Sequence, residues 1–489
     1  MQLQEQPVRN LIGGLWKEST SGETFDDASP ADSSIIGAGQ LSNRDDVKEA
    51  FESANTSFPA WSGMSPTERG KLLFKTAELI QSNIENLSRT LTREEGKTLN
   101  ESRGEVQRAV DIFKFYGGQG ARLKGDTYPS STGRSLNYSI REPLGVISVL
   151  TPWNFPIAIP AWKIAPALVC GNTVVFKPAS KTPMIAYEFV RILQAAGFPP
   201  GVINFVTGSG ERVGEEMVTN YNIDGISFTG SFDVGARIYK IRGENPEKMI
   251  RIQLEMGGKN PTVVDEFANI SKAVQVVTAS AFGLTGQACT ATSRVIVHEK
   301  VAAEFSSKLL YRAAKIKVGN GLDEGVEMGP AASDSELKKD LKYIEIGKDE
   351  GAKIILGGKR PAGENFERGY YVAPTIFTDV TSDMKIAQDE IFGPVLSLIK
   401  VKNLDEAIEV ANDTQYGLTS SIVTENLASA MEFVQRSRVG LVKINKPTTG
   451  LEFQMPFGGV KHSSTDSFKE QGEEAVEFYT KKKAVYLSY

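Results

Sequence analysis

An α/β fold built on doubly wound parallel sheets is predicted by three observations. From residue 144 onward, short apolar runs alternate with helix-length segments. A second region of the same rhythm begins after Pro261 and runs to about residue 450. The chain has 489 residues, 40% hydrophobic and 24% charged, which is the length of two or three domains and the composition to fill their cores.

Residues 10–40 read as short strands and turns, with Ile12-Gly13-Gly14-Leu15-Trp16 a hairpin. Ser65-Pro66-Thr67-Glu68 has the pattern of a capping box with proline at the first helical position, so a helix is expected to start there. Leu72, Leu73, Ala77 and Ile80 then share its buried face. Residues 144–150 form a buried strand, and a helical stretch closes near Gly171. Residues 173–177 are the next strand, and the helix over 186–196 stops at Gly197. Residues 202–206 and 225–228 are the third and fourth strands. Ligands bind beyond the carboxyl ends of such strands, where Lys177 and Thr229-Gly230-Ser231 lie. Past Pro261, residues 262–264, a helix and residues 293–297 open a second α/β unit carrying Cys289. The polar segment 125–142 and the tail 483–487 read as strands leaving the main body. There is no internal repeat and no low-complexity segment.

The net charge is −5 with no long basic run, which argues against nucleic acid or an anionic membrane as main partner. Two cysteines do not make a disulfide framework, so a reducing cytoplasm is the expected compartment. Residues 1–6 have no basic region followed by an apolar core, so no secretory signal is expected. The most apolar stretch, 157–176, is interrupted by Pro160, Lys163, Pro166 and Asn172 and reads as buried elements rather than a membrane span.

Cys289, within Thr285-Gly286-Gln287-Ala288-Cys289-Thr290, carries the chemistry. A lone free cysteine is more often a small buried hydrophobe. Here Glu255 precedes it in Leu254-Glu255-Met256-Gly257-Gly258-Lys259-Asn260-Pro261. A thiol attacks a carbonyl covalently, and a carboxylate then activates water to release the product. With only His298 and His462 present, a carboxylate is the natural base.

The nucleotide signals differ in weight. Gly208-Ser209-Gly210-Glu211-Arg212-Val213-Gly214 has its last glycine one residue late, and a bare glycine cluster is a loop more often than a phosphate cradle. Phe228-Thr229-Gly230-Ser231 follows a strand and opens a helix, where N–H groups meet a pyrophosphate; Ser231 is equally a helix cap. Lys177 either snorkels from its strand end or bonds ribose hydroxyls or a 2′-phosphate. Asn154, in Thr151-Pro152-Trp153-Asn154-Phe155-Pro156, offers an amide to a developing oxyanion or simply turns the chain beside proline. No metal ligand set is expected.

Together these segments resemble the aldehyde dehydrogenase superfamily over essentially the whole chain. Pro152-Trp153-Asn154-Phe155, Gly171-Asn172-Thr173, Lys177-Pro178, Phe228-Thr229-Gly230-Ser231, Leu254 to Lys259 and Gly286-Gln287-Ala288-Cys289 carry the resemblance, with Glu390-Ile391-Phe392-Gly393-Pro394 and Pro456-Phe457-Gly458-Gly459. It implies an atypical Rossmann cofactor domain (1–124 and 143–253), a second α/β catalytic domain (254–450), and a small β oligomerisation element with the C-terminal tail (125–142 and 451–489). It implies a homodimer or homotetramer. Cys289 would be the nucleophile, Asn154 and the Cys289 N–H the oxyanion hole, and Glu255 the base for deacylation, with Lys177 beside them. Thr151, Trp153, Asn154, Lys177, Ser180, Gly210, Gly214, Phe228, Thr229, Gly230, Ser231, Met256, Gly257, Glu390 and Phe392 would hold the cofactor. Ser180 stands where NAD-preferring relatives often carry Glu, so NADP is expected ahead of NAD.

Residues 289–294, 445–454 and 470–479 are most similar to α-ketoglutaric semialdehyde (2,5-dioxovalerate) dehydrogenases, for which 2,5-dioxopentanoate would go to 2-oxoglutarate. Ala281-Phe282-Gly283-Leu284 lacks the Arg that some relatives with acidic substrates carry ahead of the nucleophile. Leu284 and Phe453 would instead suit a neutral aldehyde, and succinic semialdehyde is a further alternative. Glu255 argues against a CoA-acylating enzyme. A non-phosphorylating glyceraldehyde-3-phosphate dehydrogenase would need a phosphate pocket, for which only Arg294 is available. A non-catalytic protein on the same scaffold would be expected to lose Cys289, Glu255 or Asn154, and all three are present.

Overall fold

The computed structural model describes residues 8–244 and 248–489; the reading of residues 1–6 lies outside them. Five parallel strands, Val146–Leu150, Thr173–Lys177, Ile203–Phe205, Gly225–Thr229 and Arg251–Glu255, make the centre of the first sheet. In space they run 251–255, 225–229, 146–150, 173–177, 203–205. The winding direction therefore reverses between Val146–Leu150 and Gly225–Thr229, which opens a crevice at their carboxyl ends. The strands Thr173–Lys177 and Gly225–Thr229 are buried at every position, as strands covered on both faces must be, and hence read as continuous apolar runs. The hairpin Asn10–Ile12 and Leu15–Lys17 extends the far edge. Its turn residues Gly13 and Gly14 have φ of 61° and 81°, the positive values that a tight hairpin turn needs.

The second seven-stranded sheet runs 353–356, 375–378, 395–401, 292–298, 260–264, 419–423, 441–444, with only Lys353–Leu356 antiparallel. Residues 256–259 carry the chain from Glu255, the last residue of the first sheet's edge strand, to Asn260, the first of a central strand in the second. Cys289 sits on the loop that enters the next strand, Thr292–His298. The junction between the sheets thus holds both residues that the sequence singles out. A three-stranded antiparallel sheet pairs Thr480–Ser488 with Ser135–Pro143 and Thr127–Tyr128, which are the expected departing strands.

Ser65 caps the helix Pro66–Ser82 by accepting from the Glu68 N–H at 3.3 Å. The box is only half made, because the Glu68 carboxylate turns outward to Lys71 at 2.7 Å. Leu73, Ala77 and Ile80 are buried and Leu72 partly so. The apolar stretch becomes the helix Ala158–Val169, buried along its whole length. Among the described residues no helix is long and apolar enough to cross a membrane.

Asn172 ties three elements together. Its Oδ1 accepts from the Gly145 N–H at 2.8 Å, and its Nδ2 donates to the carbonyls of Ala167 at 3.0 Å and Tyr479 at 2.9 Å. Replacing it with alanine strands buried partners on a helix end, a strand start and the C-terminal segment. Asn172→Ala is expected to cost about 2–4 kcal/mol, read as a lower denaturant midpoint. An unchanged midpoint would mean that water replaces these bonds without penalty.

Candidate active site

The loop before Cys289 is held in an unusual shape. Leu284, Thr285 and Gly286 have φ of 54°, 55° and 68°, left-handed values that cost a leucine and a threonine energy. Neighbours fix them: the Leu284 N–H donates to Glu101 Oε1 at 2.6 Å and Thr285 Oγ1 to the Gly329 carbonyl at 3.1 Å. A Cβ at Gly286 would stand 2.3 Å from the Gly393 carbonyl oxygen, so this position takes only glycine. Beyond the loop, Asn260 Nδ2 donates to the carbonyls of Cys289 at 2.7 Å and Ala291 at 2.9 Å. Asn154 Nδ2 donates to the Gln287 carbonyl at 3.0 Å, which leaves its second N–H for another acceptor.

Cys289 is half-buried and lines two cavities. One, of about 300 Å³, is walled by Phe155, Trp162, Leu284 and Leu451. The other, of about 170 Å³, holds Trp153, Asn154, Gly230, Ser231, Glu390 and Phe392. A reagent on one side and a redox partner on the other would meet at the sulfur. Burial pushes the thiol above its ordinary range, with the carboxylates of Glu390, Glu255 and Glu470 adding to the shift. The Thr290 N–H bonds the sulfur and opposes it.

Glu255 is buried at the end of its strand. Ser464 Oγ donates to Oε1 at 2.8 Å and the Gly459 N–H to Oε2 at 3.2 Å. Burial raises its carboxyl well above the carboxylate range, and nearby Glu470 raises it further. A carboxyl so raised is a stronger base than an ordinary carboxylate. Glu470 itself pairs with Lys163 and accepts from Trp162 Nε1 at 2.7 Å; Lys163 also donates to Ser227 Oγ at 3.0 Å. Sequence reasoning missed Lys163 and Glu470. The signal was a lysine inside an otherwise apolar helix.

On the smaller cavity, the Gly258 N–H donates to Glu390 Oε1 at 2.8 Å. A Cβ at Gly257 would fall 2.0 Å from Glu390 Oε2, so the bare backbone there admits the carboxylate. Burial raises Glu390 to about 7 against the opposing Gly258 N–H and the cations Lys339 and Lys259. Phe392, at φ 61°, meets Trp153 edge-on at 5.4 Å. Thr151 Oγ1 and Thr229 Oγ1 are buried without a partner. Orphaned hydroxyls and a ring-edged slot beside a carboxylate fit a nicotinamide nucleotide's ring and ribose.

Asn154, Cys289, Trp153, Thr229, Gly230, Ser231, Met256, Gly257, Glu390 and Phe392 thus share one cavity. Glu255, Thr151 and Phe228 lie just behind it: the Gly230 N–H donates to the Glu255 carbonyl at 3.0 Å, and a Cβ at Gly230 would strike the Phe228 ring at 2.4 Å. Lys177 and Ser180 gather elsewhere on the sheet's carboxyl edge. Lys177 Nζ donates to the Pro178 carbonyl at 2.8 Å, and burial pulls it down to about 8. Ser180 Oγ donates to the Gly208 carbonyl at 3.1 Å, which ties it to the glycine cluster. Gly210 and Gly214 begin and cap a single helical turn, Gly210–Val213; a Cβ at Gly210 would meet nothing within 4 Å.

One rejected alternative loses its remaining support, and one sequence reading needs correction. Arg294 lines neither cavity; its guanidinium is buried against the carbonyls of Lys259, Val410 and Ala411. It is a structural cation, not a phosphate ligand. Phe453 packs edge-on against Phe115 at 5.7 Å rather than lining the substrate side.

The sequence matches the aldehyde dehydrogenase family over residues 16–485. It is 47% identical to a 2,5-dioxopentanoate dehydrogenase of Saccharolobus solfataricus, over 95% of this chain and 96% of that one. It is 45% identical to an alpha-ketoglutaric semialdehyde dehydrogenase of Bacillus subtilis, over 98% and 97%. A betaine aldehyde dehydrogenase of Staphylococcus aureus, solved with NAD+, superposes with a TM-score of 0.95 at 33% identity, over 98% of this chain and 97% of that one.

Two outcomes follow from the geometry. Gly257→Ala should displace Glu390 and raise the cofactor KM roughly tenfold while the unfolding midpoint stays put; an unaltered KM would mean that Glu390 bears no weight in cofactor binding. Glu390→Gln removes a negative charge that holds the thiol up, so the pH profile of Cys289 alkylation by iodoacetamide should move to lower pH. Cys170 is buried, with its thiol pushed up to about 12, and does not confuse the readout. A profile that stays in place would leave the shift to burial and to the carboxylates of Glu255 and Glu470.

Proposed function

Because the chain belongs to the aldehyde dehydrogenase family, we propose that this nicotinamide-nucleotide-dependent oxidoreductase converts an oxo-acid semialdehyde, 2,5-dioxopentanoate, to 2-oxoglutarate, with Cys289 as nucleophile. One observation carries the chemistry: Cys289 stands where two cavities meet, with the Asn154 amide on one side and the basic Glu255 near it. The names of the relatives at 45–47% identity support the substrate.

The Cys289 sulfur bonds to the aldehyde carbon, and the carbonyl oxygen takes up negative charge. The free N–H of Asn154 Nδ2 and the Cys289 N–H stabilise that oxygen. A bound nicotinamide nucleotide supplies the hydride acceptor. Trp153, Phe392 and Glu390 orient the ring and ribose and keep water from that face. The resulting thioester is hydrolysed when Glu255 takes a proton from water, the water oxygen bonds to the acyl carbon, and the Cys289 sulfur departs. Burial suits Glu255 to this task, because a carboxyl of ordinary acidity is too weak a base.

For the nucleotide, NADP is preferred. Position 180 carries no carboxylate to repel a 2′-phosphate, and Lys177 stands at the same strand end. The enzyme assembles as a dimer or tetramer: the nine-residue strand Thr480–Ser488 is an edge strand, with Tyr486 and Leu487 exposed beside Leu136 and Ile140. Two unpaired cysteines fit a reducing cytoplasm.

Initial rates with 2,5-dioxopentanoate, succinic semialdehyde and pentanal, each with NADP and NAD, test the reading. The first aldehyde with NADP should give the highest kcat/KM; preference for pentanal would reassign the substrate. Cys289→Ala should abolish oxidation. Glu255→Gln should keep a single-turnover burst of reduced cofactor and lose steady-state rate by roughly 10²-fold or more; normal turnover would remove Glu255 as the deacylation base. Ser180→Glu should invert the NADP-to-NAD ratio, and an unmoved ratio would place cofactor choice elsewhere.

A further inference from the structure

The larger cavity has a wall made by one face of the helix Leu99–Gln119, where Glu101, Gly104, Glu105 and Arg108 follow at the spacing that stacks side chains on a single helical face. These three charged residues are the cavity's ionic lining among the described residues. Both carboxylates are already satisfied. Glu101 Oε2 accepts from the Thr98 N–H and hydroxyl at 2.8 Å each, and Oε1 from the Leu284 N–H. Glu105 Oε1 accepts from the N–H groups of Ile157 at 2.9 Å and Ala158 at 3.1 Å, and Oε2 from Lys97 at 2.7 Å.

Arg108 is different. Its Nη1 donates to the Leu451 carbonyl and its Nη2 to Gln471 Oε1 at 2.7 Å, while its Nε has no partner. Two neutral acceptors serve a five-donor cation, and no carboxylate bonds it. The carboxylate near enough to act on it most strongly, Glu452, is hydrogen-bonded to Gln454. Burial draws the guanidinium down only to about 10, so it stays charged at neutral pH. Lys443 adds to the positive field: its Nζ donates to the carbonyls of Thr449 and Gly450 at 2.6 Å, within the loop that lines the cavity. Glu452, Asp111 and Glu105 offset its charge only from a distance, and a largely desolvated cation with no carboxylate bonded to it is costly, a cost recovered when an anion enters.

We propose that Arg108 is the carboxylate anchor of the substrate cavity, selecting aldehydes that end in a carboxylate and turning their aldehyde carbon toward Cys289. This rests on the reading of the enzyme as an oxo-acid semialdehyde dehydrogenase and names the residue that makes it one. The apolar walls Phe155, Trp162, Leu284 and Leu451 hold the intervening carbons. A guanidinium from the helix does the work of the Arg that is missing ahead of the nucleophile.

The test compares wild type, Arg108→Met and Arg108→Lys on 2,5-dioxopentanoate and on pentanal, a neutral aldehyde of the same length, with 2-oxoglutarate, the reaction's product, as a product inhibitor. In Arg108→Met, kcat/KM for the acid should fall roughly 10–100-fold through KM. The pentanal rate should hold within about threefold and 2-oxoglutarate inhibition should weaken in step with KM. Arg108→Lys should recover part of the loss. A parallel fall on both aldehydes would overturn the anchor and leave Arg108 as a brace for Leu451 and Gln471; unchanged selectivity for the acid would overturn it too. A wild type that already favours pentanal would sink the substrate reading, and this assignment with it.

Discussion

The buried pairing of Lys163 with Glu470 is the constraint on which the rest of the site depends. Their side chains are 0% and 2% exposed, so neither charge has water to fall back on. Removing one partner of such a pair costs about 3–5 kcal/mol, because the other is left uncompensated. Lys163 comes from the apolar helix Ala158–Val169, and its amine also reaches Ser227 on the first sheet, whose hydroxyl donates onward to Gln253 in the neighbouring strand at 2.9 Å. Glu470 belongs to the C-terminal segment. The pair therefore pins that segment against the sheet, and the pinned residues build the surroundings of Glu255: Ser463 Oγ donates to the Gly257 carbonyl at 2.6 Å, its carbonyl accepts from the Met256 N–H at 2.8 Å, and Ser464 and Gly459 bond the carboxyl itself. The surroundings of Glu255 are thus set by a pair of charges that lines neither cavity.

The same dryness tunes the site's chemistry. Burial raises the acids Glu255, Glu390 and Cys289 and lowers the bases Lys177 and Lys259, the last to about 7. Glu390 and Lys259 are thereby both brought to about 7, whereas the thiol of Cys289 moves the other way and holds its proton more firmly. For Glu255, Glu390, Cys289 and Lys259 one environment does this, because they line or back a single junction between two sheets; Lys177 is buried separately, at the carboxyl edge of the first sheet.

Much of that junction was legible in sequence, for physical reasons that also mark the limits. Strands covered on both faces must be apolar throughout, so residues 173–177 announced themselves as a strand with Lys177 at its end. Asn154, Cys289, Glu390 and Phe392, which share one cavity, could be singled out because each sits in a distinctive segment. Lys163 was read as an interruption of an apolar run, when its isolation was itself the sign of a buried partner. Which partner it has depends on the fold returning Glu470 to the first sheet, which local pattern does not encode. Arg294, too little in sequence to support a phosphate pocket, proves to satisfy three backbone carbonyls, a role that local pattern does not encode. Arg108 stayed hidden because its cavity is assembled from segments distant in sequence, and a cation on an amphipathic helix ordinarily reads as a solvated face.

The chain's economy with histidine is consistent with this arrangement. His298 Nδ1 accepts from the Lys300 N–H at 3.2 Å as a helix cap, and His462 stacks on Phe232 at 4.1 Å. Neither lines the cavities around Cys289. A His-activated thiol would rest as an ion pair, reactive toward any electrophile in the cell. Here the thiol is raised rather than lowered, so at rest it keeps its proton. Once deprotonated it is the stronger nucleophile for the same reason, since attacking power rises with thiol basicity. A carboxyl raised by the same burial is a stronger base than an ordinary carboxylate, and in the proposed hydrolytic step it needs no imidazole beside it.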